Sequence, residues 1–144
     1  MRSEPGTYLL ILESGSSAEI QIGRWGALRV RPGFYSYVGS AFGPGGVRAR
    51  VSRHLRRGKK NRWHIDHLRE VAEPVSVRCS YAPFRLEHDW ARAFGGTDGF
   101  SCIKGFGSSD CRCKGHLFFT SAKPEEELIR RAIGGAVESI ESER

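Results

Sequence analysis

The chain has few of the devices that stabilise or anchor a protein from outside its own core. Only four cysteines stand among 144 residues, at 79, 102, 111 and 113. In an intracellular chain they do not read as a disulfide framework. No long hydrophobic run is present; the clean apolar stretch near the N-terminus, Tyr8 to Leu12, is far too short to span a bilayer. A basic n-region followed by a long apolar segment is also lacking, so the expectation is no signal peptide, no membrane and a soluble cytoplasmic protein. There is no internal repeat and no low-complexity linker. With 39% hydrophobic and 27% charged residues the chain is not disordered, and 144 residues can bury a working core unaided. One domain over residues 1–144 is expected, with a core at about 6–120.

Acid is scarce in one place. The formal net charge is +7, from 23 Lys and Arg against 16 Asp and Glu. Residues 48–69 carry nine basic groups and a single acid, Asp66, so this segment supplies more than the whole excess. Of the 23 basic residues 18 are Arg, whose planar fork matches phosphate oxygens. A localised Arg-rich block is the electrostatic footprint of nucleic-acid binding. Arg48, Arg53, Arg56, Arg57, Lys59, Lys60 and Arg62 are its candidate phosphate contacts, with DNA the expected partner and RNA still open. The competing reading is a solvated helix face.

Hydrophobic periodicity places the elements. Thr7 to Glu13 reads as a central buried strand, Ala18 to Ile22 as a half-buried one, Ala27 to Val30 as a short one and Phe34 to Gly39 as an aromatic one. The tight turns suggest a small, mostly antiparallel meander. A helix is expected from about Val47 to Arg57, with Val47, Val51 and Leu55 on one face and Arg50, Arg53, His54 and Arg57 forming a second stripe. Trp63 to Val71 reads as a short helix, Val75 to Tyr81 as a strand, Leu86 to Phe94 as a helix, Cys102 to Asp110 as loop and His116 to Thr120 as a strand. Pro124 with three glutamates behind it opens a C-terminal helix expected over about 124–141. Trp25, in a turn, is either a core-edge residue or a platform for an exposed base.

Three features then line up. The first strand opens Gly6-Thr7-Tyr8, the later one closes Tyr37-Val38-Gly39, and the helix after a Gly-rich turn carries Arg50. This resembles the GIY-YIG nuclease superfamily, in which a short sheet presents two motif tyrosines and the next helix an arginine. The run Tyr37 to Ala41, with Arg50-Val51 and His54, continues the likeness. Leu86-Glu87-His88-Asp89-Trp90 opens a helix where the family places a metal-binding glutamate. Gly105 to Cys113, with His116-Leu117 and Trp63-His64-Ile65-Asp66, resembles the Uri-type endonuclease-like branch. Two departures stand out. Twenty-eight residues separate Tyr8 from Tyr37, as if a hairpin were inserted, and Ser40 stands where many relatives carry a lysine.

The resemblance implies an α/β (α+β) fold, a small central mostly antiparallel sheet flanked by helices. It also implies hydrolysis of DNA phosphodiesters. A single domain without a separate DNA-reading module predicts low sequence specificity, with structure-specific or single-strand cleavage expected. Arg50 would hold the non-bridging oxygens and Glu87 one Mg²⁺ or Mn²⁺. Tyr8 or Tyr37 would take a proton from water if the metal or Arg50 lowered its pKa well below the ordinary ~10, or would only position the water, with His54 the second candidate for proton transfer. Two other readings remain open at this point. One is a nucleic-acid-binding module of the same fold without efficient turnover. The other is an interaction protein stabilised by zinc on Cys111, Cys113 and His116, whose C-x-C-x-x-H spacing could reach one ion.

Overall fold

The computed structural model describes residues 1–56, 60–107, 114–134 and 138–141. It is a mixed α+β structure built on one six-stranded sheet, every pairing antiparallel. The elements in chain order are β1 (Gly6–Ser14), β2 (Ala18–Ile22), β3 (Gly26–Val30), β4 (Gly33–Ala41), α1 (Gly46–Leu55) and α2 (His64–Leu68). Then come β5 (Glu73–Ser80), α3 (Glu87–Gly95), β6 (Ser101–Cys102), β7 (Leu117–Thr120), α4 (Glu126–Ile133) and β8 (Glu138–Glu141). The sheet order is β6-β7-β4-β1-β5-β8. Among the described residues no helix is long and apolar enough to cross a membrane.

Strand β1 lies between β4 and β5, and both of its faces are covered. Side chains alternate across a strand. Tyr8, Leu10 and Leu12 therefore join one core with α1, α2 and the β2–β3 hairpin, while Leu9 and Ile11 join a second core with α3 and α4. This double burial explains the uninterrupted apolar run in the sequence. The expected meander is corrected in one respect. β1 pairs directly with β4, from Gly6↔Ala41 to Ser14↔Gly33, and β2–β3 forms a separate two-stranded sheet inserted between them.

Two helix expectations are also corrected. α1 stops at Leu55, with Arg56 already extended, and its buried side is Val47, Val51 and His54; Leu55 is 39% exposed. The C-terminal helix ends at Ile133, well before 141. Gly134 takes φ +83, a conformation that residues with a β-carbon avoid, and its N–H closes the helix on the Arg130 carbonyl at 2.8 Å. The chain then returns as β8, pairing Val77↔Ile140 on β5. The α4 side of the sheet is tied down by Arg78 of β5, fully buried, which hydrogen-bonds the side chains of Ser76 and Glu126.

Candidate active site

β1 and β4 carry the two motif tyrosines on the same face of the sheet. Tyr8 is directly opposite Gly39, so Tyr37 is its diagonal neighbour and their ring centroids are 6.4 Å apart. A β-carbon on residue 39 would stand 2.3 Å from the Tyr8 hydroxyl oxygen, so only glycine lets the ring lie across β4. α1 crosses the same face. Its second turn offers Arg50, and its last turn places His54 behind Tyr8, with Nε2 at 2.6 Å from the Tyr8 hydroxyl.

Glu87 comes from the other layer. It is the first residue of α3, whose start is fastened to β1 by the Leu86 N–H donating to Thr7 Oγ1 at 3.1 Å. From there the carboxylate reaches the end of β4 and accepts a hydrogen bond from Ser40 Oγ at 2.8 Å. Tyr8, Tyr37, Arg50, His54 and Glu87 thus line one pocket of about 560 Å³, although they come from both layers of the fold.

The pocket controls the protonation of its tyrosines in the direction opposite to the one a phenolate base needs. Burial pushes Tyr8 well above the ordinary tyrosine range and Tyr37 adds to this, while Arg50 pulls the other way. Tyr37 is raised likewise, by burial first and by the Glu87 carboxylate second. Both hydroxyls therefore stay protonated and act as hydrogen-bonding groups. Burial of both rings opposes the lowered tyrosine pKa that a phenolate base requires, and leaves the neutral hydroxyls suited to positioning water.

The basic block divides. The Arg50 guanidinium donates to the Ser40 carbonyl at 3.3 Å and lies 4.5 Å over the Trp63 ring. Arg62 is exposed on the pocket wall. Lys60 and Arg48 are exposed too, but neither lines the pocket, and Arg56 is exposed just beyond α1. Arg53 is also engaged within the chain. Its Nη1 lies 2.8 Å from Asp66 Oδ1, its Nη2 donates to the Lys60 carbonyl, and its guanidinium lies 4.2 Å over Trp63. Asp66, fully buried, also accepts the Arg62 and Trp63 backbone N–H groups. Burial would raise this carboxyl, but Arg53 and the two N–H donors outweigh it and hold it below the usual range. Arg57 and Lys59 lie outside the described residues, as do Cys111 and Cys113.

Two further members of the pocket carried no role at this site in the sequence reading. His116, a zinc candidate, is buried with Nδ1 3.5 Å from Glu87 Oε2 and its ring 5.8 Å from that of His88. Burial lowers its pKa, with His88 adding and Glu87 opposing. His64 lines the wall and accepts the Gly107 N–H at 3.0 Å. The Trp63-His64-Ile65-Asp66 run was the available signal for His64, and His116-Leu117 that for His116. Trp25 is held by the 104–106 segment, its Nε1 donating to the Lys104 carbonyl at 3.1 Å and its ring edge-on to Phe106.

Among the described residues no cluster of three His, Cys, Asp or Glu is placed to share a metal ion. Glu87 is the one carboxylate among the described lining residues, with its side chain 17% exposed. That donor set fits a hydrated Mg²⁺ or Mn²⁺, which can bind through one carboxylate and keep several waters.

Residues 7–137 match the family described as Domain of unknown function DUF123. The chain belongs to that family. No curated protein matches it, and no solved structure does. The matched span of this DUF123 chain runs from the residue before Tyr8 past His116, so it contains every residue of the pocket just described.

Proposed function

We propose that this DUF123 chain is a metal-dependent nuclease of the GIY-YIG type, in the Uri-type branch, hydrolysing DNA phosphodiesters inside the cell. One observation carries the reading. Five residues quoted from the sequence for that resemblance, spread from position 8 to position 87, converge on a single pocket. The Arg50 guanidinium binds two non-bridging oxygens of the scissile phosphate and stabilises the charge that grows on them. The Tyr8 hydroxyl and His54 form a proton path. With Nε2 unprotonated, Tyr8 donates to it and can accept a proton from water on its own oxygen.

In the reaction a P–O bond forms to the water oxygen and the bond to the 3′-oxygen breaks. The water proton passes to Tyr8 as the Tyr8 proton moves to His54 Nε2, and the 3′-oxygen is protonated by solvent. Tyr37 packs beside Tyr8 and orients the water. Glu87 would hold the Mg²⁺ or Mn²⁺, which when bound supplies Lewis-acid stabilisation of the phosphorane and of the leaving oxygen. Ser40 fixes the Glu87 carboxylate. Arg62 and its basic neighbours contact flanking phosphates, which position a strand without reading its sequence.

A panel of single-stranded, duplex, flapped and branched DNA, plus RNA, with and without Mg²⁺ or Mn²⁺ tests the reading. Metal-dependent cleavage of low sequence specificity is expected. Undiminished cleavage by Arg50→Ala or Glu87→Ala would sink the assignment. A second reading, a binding module without turnover, draws support from Ser40 at the position where many relatives place a lysine. Gel retardation of DNA with no cleavage under any metal condition would favour it.

A further inference from the structure

Arg50 and Arg53 stand one turn apart on α1, and they are held in different ways. Arg53 is neutralised, since buried Asp66 takes its Nη1 at 2.8 Å. Arg50 has no carboxylate partner among the described residues. It donates to a neutral acceptor, the Ser40 carbonyl, and its Cζ lies 4.5 Å from the centre of the Trp63 ring. That ring is the meeting point of the basic block. Arg53 Cζ lies 4.2 Å and Arg62 Cζ 5.4 Å from the same centre, and His54 meets the ring edge-on at 5.8 Å between centroids. The Trp63 N–H donates to Asp66 Oδ2 at 2.9 Å, and the half-buried side chain packs against the core that contains Tyr8 and Val51. The indole is thus fixed by its backbone, by the core and by Arg53, and it lines the pocket beside Arg50.

A phosphate-binding arginine has two needs that conflict. It must be oriented, yet its charge and its N–H edge must stay available to the phosphate oxygens. A carboxylate partner orients the group by occupying those donors and cancelling the charge. An aromatic face orients it without either loss, because the ring quadrupole attracts the cation and takes none of the in-plane N–H groups. We infer that Trp63 is a positioning residue of the proposed nuclease: its ring aims the Arg50 guanidinium at the scissile phosphate and leaves the charge unneutralised. The inference rests on the nuclease reading of the pocket and adds the group through which its arginine is held.

Ring-fluorinated tryptophan tests this, because fluorine drains the ring quadrupole and leaves the shape of the side chain nearly unchanged. The chain has three tryptophans, Trp25, Trp63 and Trp90, so Trp63→Phe protein labelled in the same way corrects for the other two. Labelling is expected to lower kcat/KM of the wild type by about threefold and to leave that of Trp63→Phe unchanged. Trp63→Leu, which keeps apolar bulk without a ring, should lower kcat/KM by about tenfold or more, and Trp63→Phe by less. A kcat/KM insensitive to ring fluorination in a protein that cleaves would overturn the inference and leave Trp63 a packing residue. Anisotropy of a labelled single strand with chelator present gives a second readout, without turnover. There Trp63→Leu should weaken binding by about threefold in the wild-type background and add nothing beside Arg50→Ala. Wild-type protein that cleaves nothing in the substrate panel refutes the nuclease reading, and this binding cycle then decides the Trp63–Arg50 relationship by itself. Equal losses in both Arg50 backgrounds would overturn it.

Discussion

The Tyr8 hydroxyl oxygen lies 2.6 Å from Nε2 of His54, and both side chains are 1% exposed. The contact joins the central strand to the last turn of α1 and puts a hydroxyl and an imidazole in series at the wall of the pocket. Because burial raises Tyr8 and Tyr37, neither ionises through the ordinary tyrosine range near ~10. The cleavage rate is therefore expected to show no rising limb between about pH 9 and 11. Tyr8→Phe and His54→Ala should each lower the rate by about 10²-fold or more. A stopped-time pH profile checks both points, and an inflection near ~10 would place a phenolate in the reaction instead. The same shift has a stability consequence. The folded state keeps protons that the unfolded chain releases, so stability falls as pH rises above the unfolded tyrosine value of ~10.

Gly39 and Tyr8 occupy shared space. A methyl at residue 39 would stand 2.3 Å from the Tyr8 hydroxyl oxygen and 2.4 Å from Cζ. Gly39→Ala is expected to cost about 1–3 kcal/mol by overpacking and to displace the Tyr8 ring from His54. In a Tyr8→Ala background the same change should cost much less. Denaturant titrations of the four proteins in the cycle give the coupling directly. Equal cost in both backgrounds would mean that the ring moves aside freely.

The Arg53–Asp66 pair holds the entry to α2, and with it Trp63, against α1. Removing one partner of a buried pair leaves the other uncompensated, so Asp66→Ala should destabilise the fold by about 3 kcal/mol near neutral pH. The folded Asp66 value lies below its unfolded value of ~3.9. Its contribution is fully present above the unfolded value and is lost as pH falls through the folded one. The stability gap between wild type and Asp66→Ala is therefore expected to shrink below about pH 4 in urea titrations. A gap that persists at about pH 2 would show that packing, not charge, makes the difference.

Ser40 donates to Glu87 at 2.8 Å, with Arg85 in turn 3.3 Å from the Ser40 hydroxyl. Residues that orient a metal-binding carboxylate typically change metal affinity by about 10–100-fold when removed. Ser40→Ala should raise the Mn²⁺ concentration for half-maximal cleavage by about tenfold, with the rate at saturating metal changed far less. Titrating the rate with Mn²⁺ separates this from a role in proton transfer, which would lower the saturated rate.

Much of the fold was legible because periodicity reports burial. The run Tyr8 to Leu12 announced a strand covered on both faces, and the long Tyr8–Tyr37 spacing announced the inserted hairpin. The C-terminal helix was drawn too long, since its apolar positions continue past the glycines and only the pairing with β5 turns Ile140 into a strand residue. Leu55 and His54 exchanged roles for a similar reason. Helical spacing cannot say which neighbour of a stripe faces a buried tyrosine hydroxyl. The basic block showed its total charge in sequence but not its pairing. Asp66 lies thirteen residues beyond Arg53, outside the reach of any helical pair rule.

The sequence by itself determined the residue chemistry of the pocket, the strand that centres the sheet and the segment that holds the positive charge, because these follow from side-chain type and local period. Tertiary structure alone decided which groups meet. Tyr8, Arg50 and Glu87 come from a strand and two helices on opposite faces of one sheet, and antiparallel register with a hydrogen bond from Leu86 to Thr7 brings them to one edge. It also decided their protonation. Burial between packed layers is a property of the assembled core, and it holds both tyrosines neutral where an exposed tyrosine would ionise.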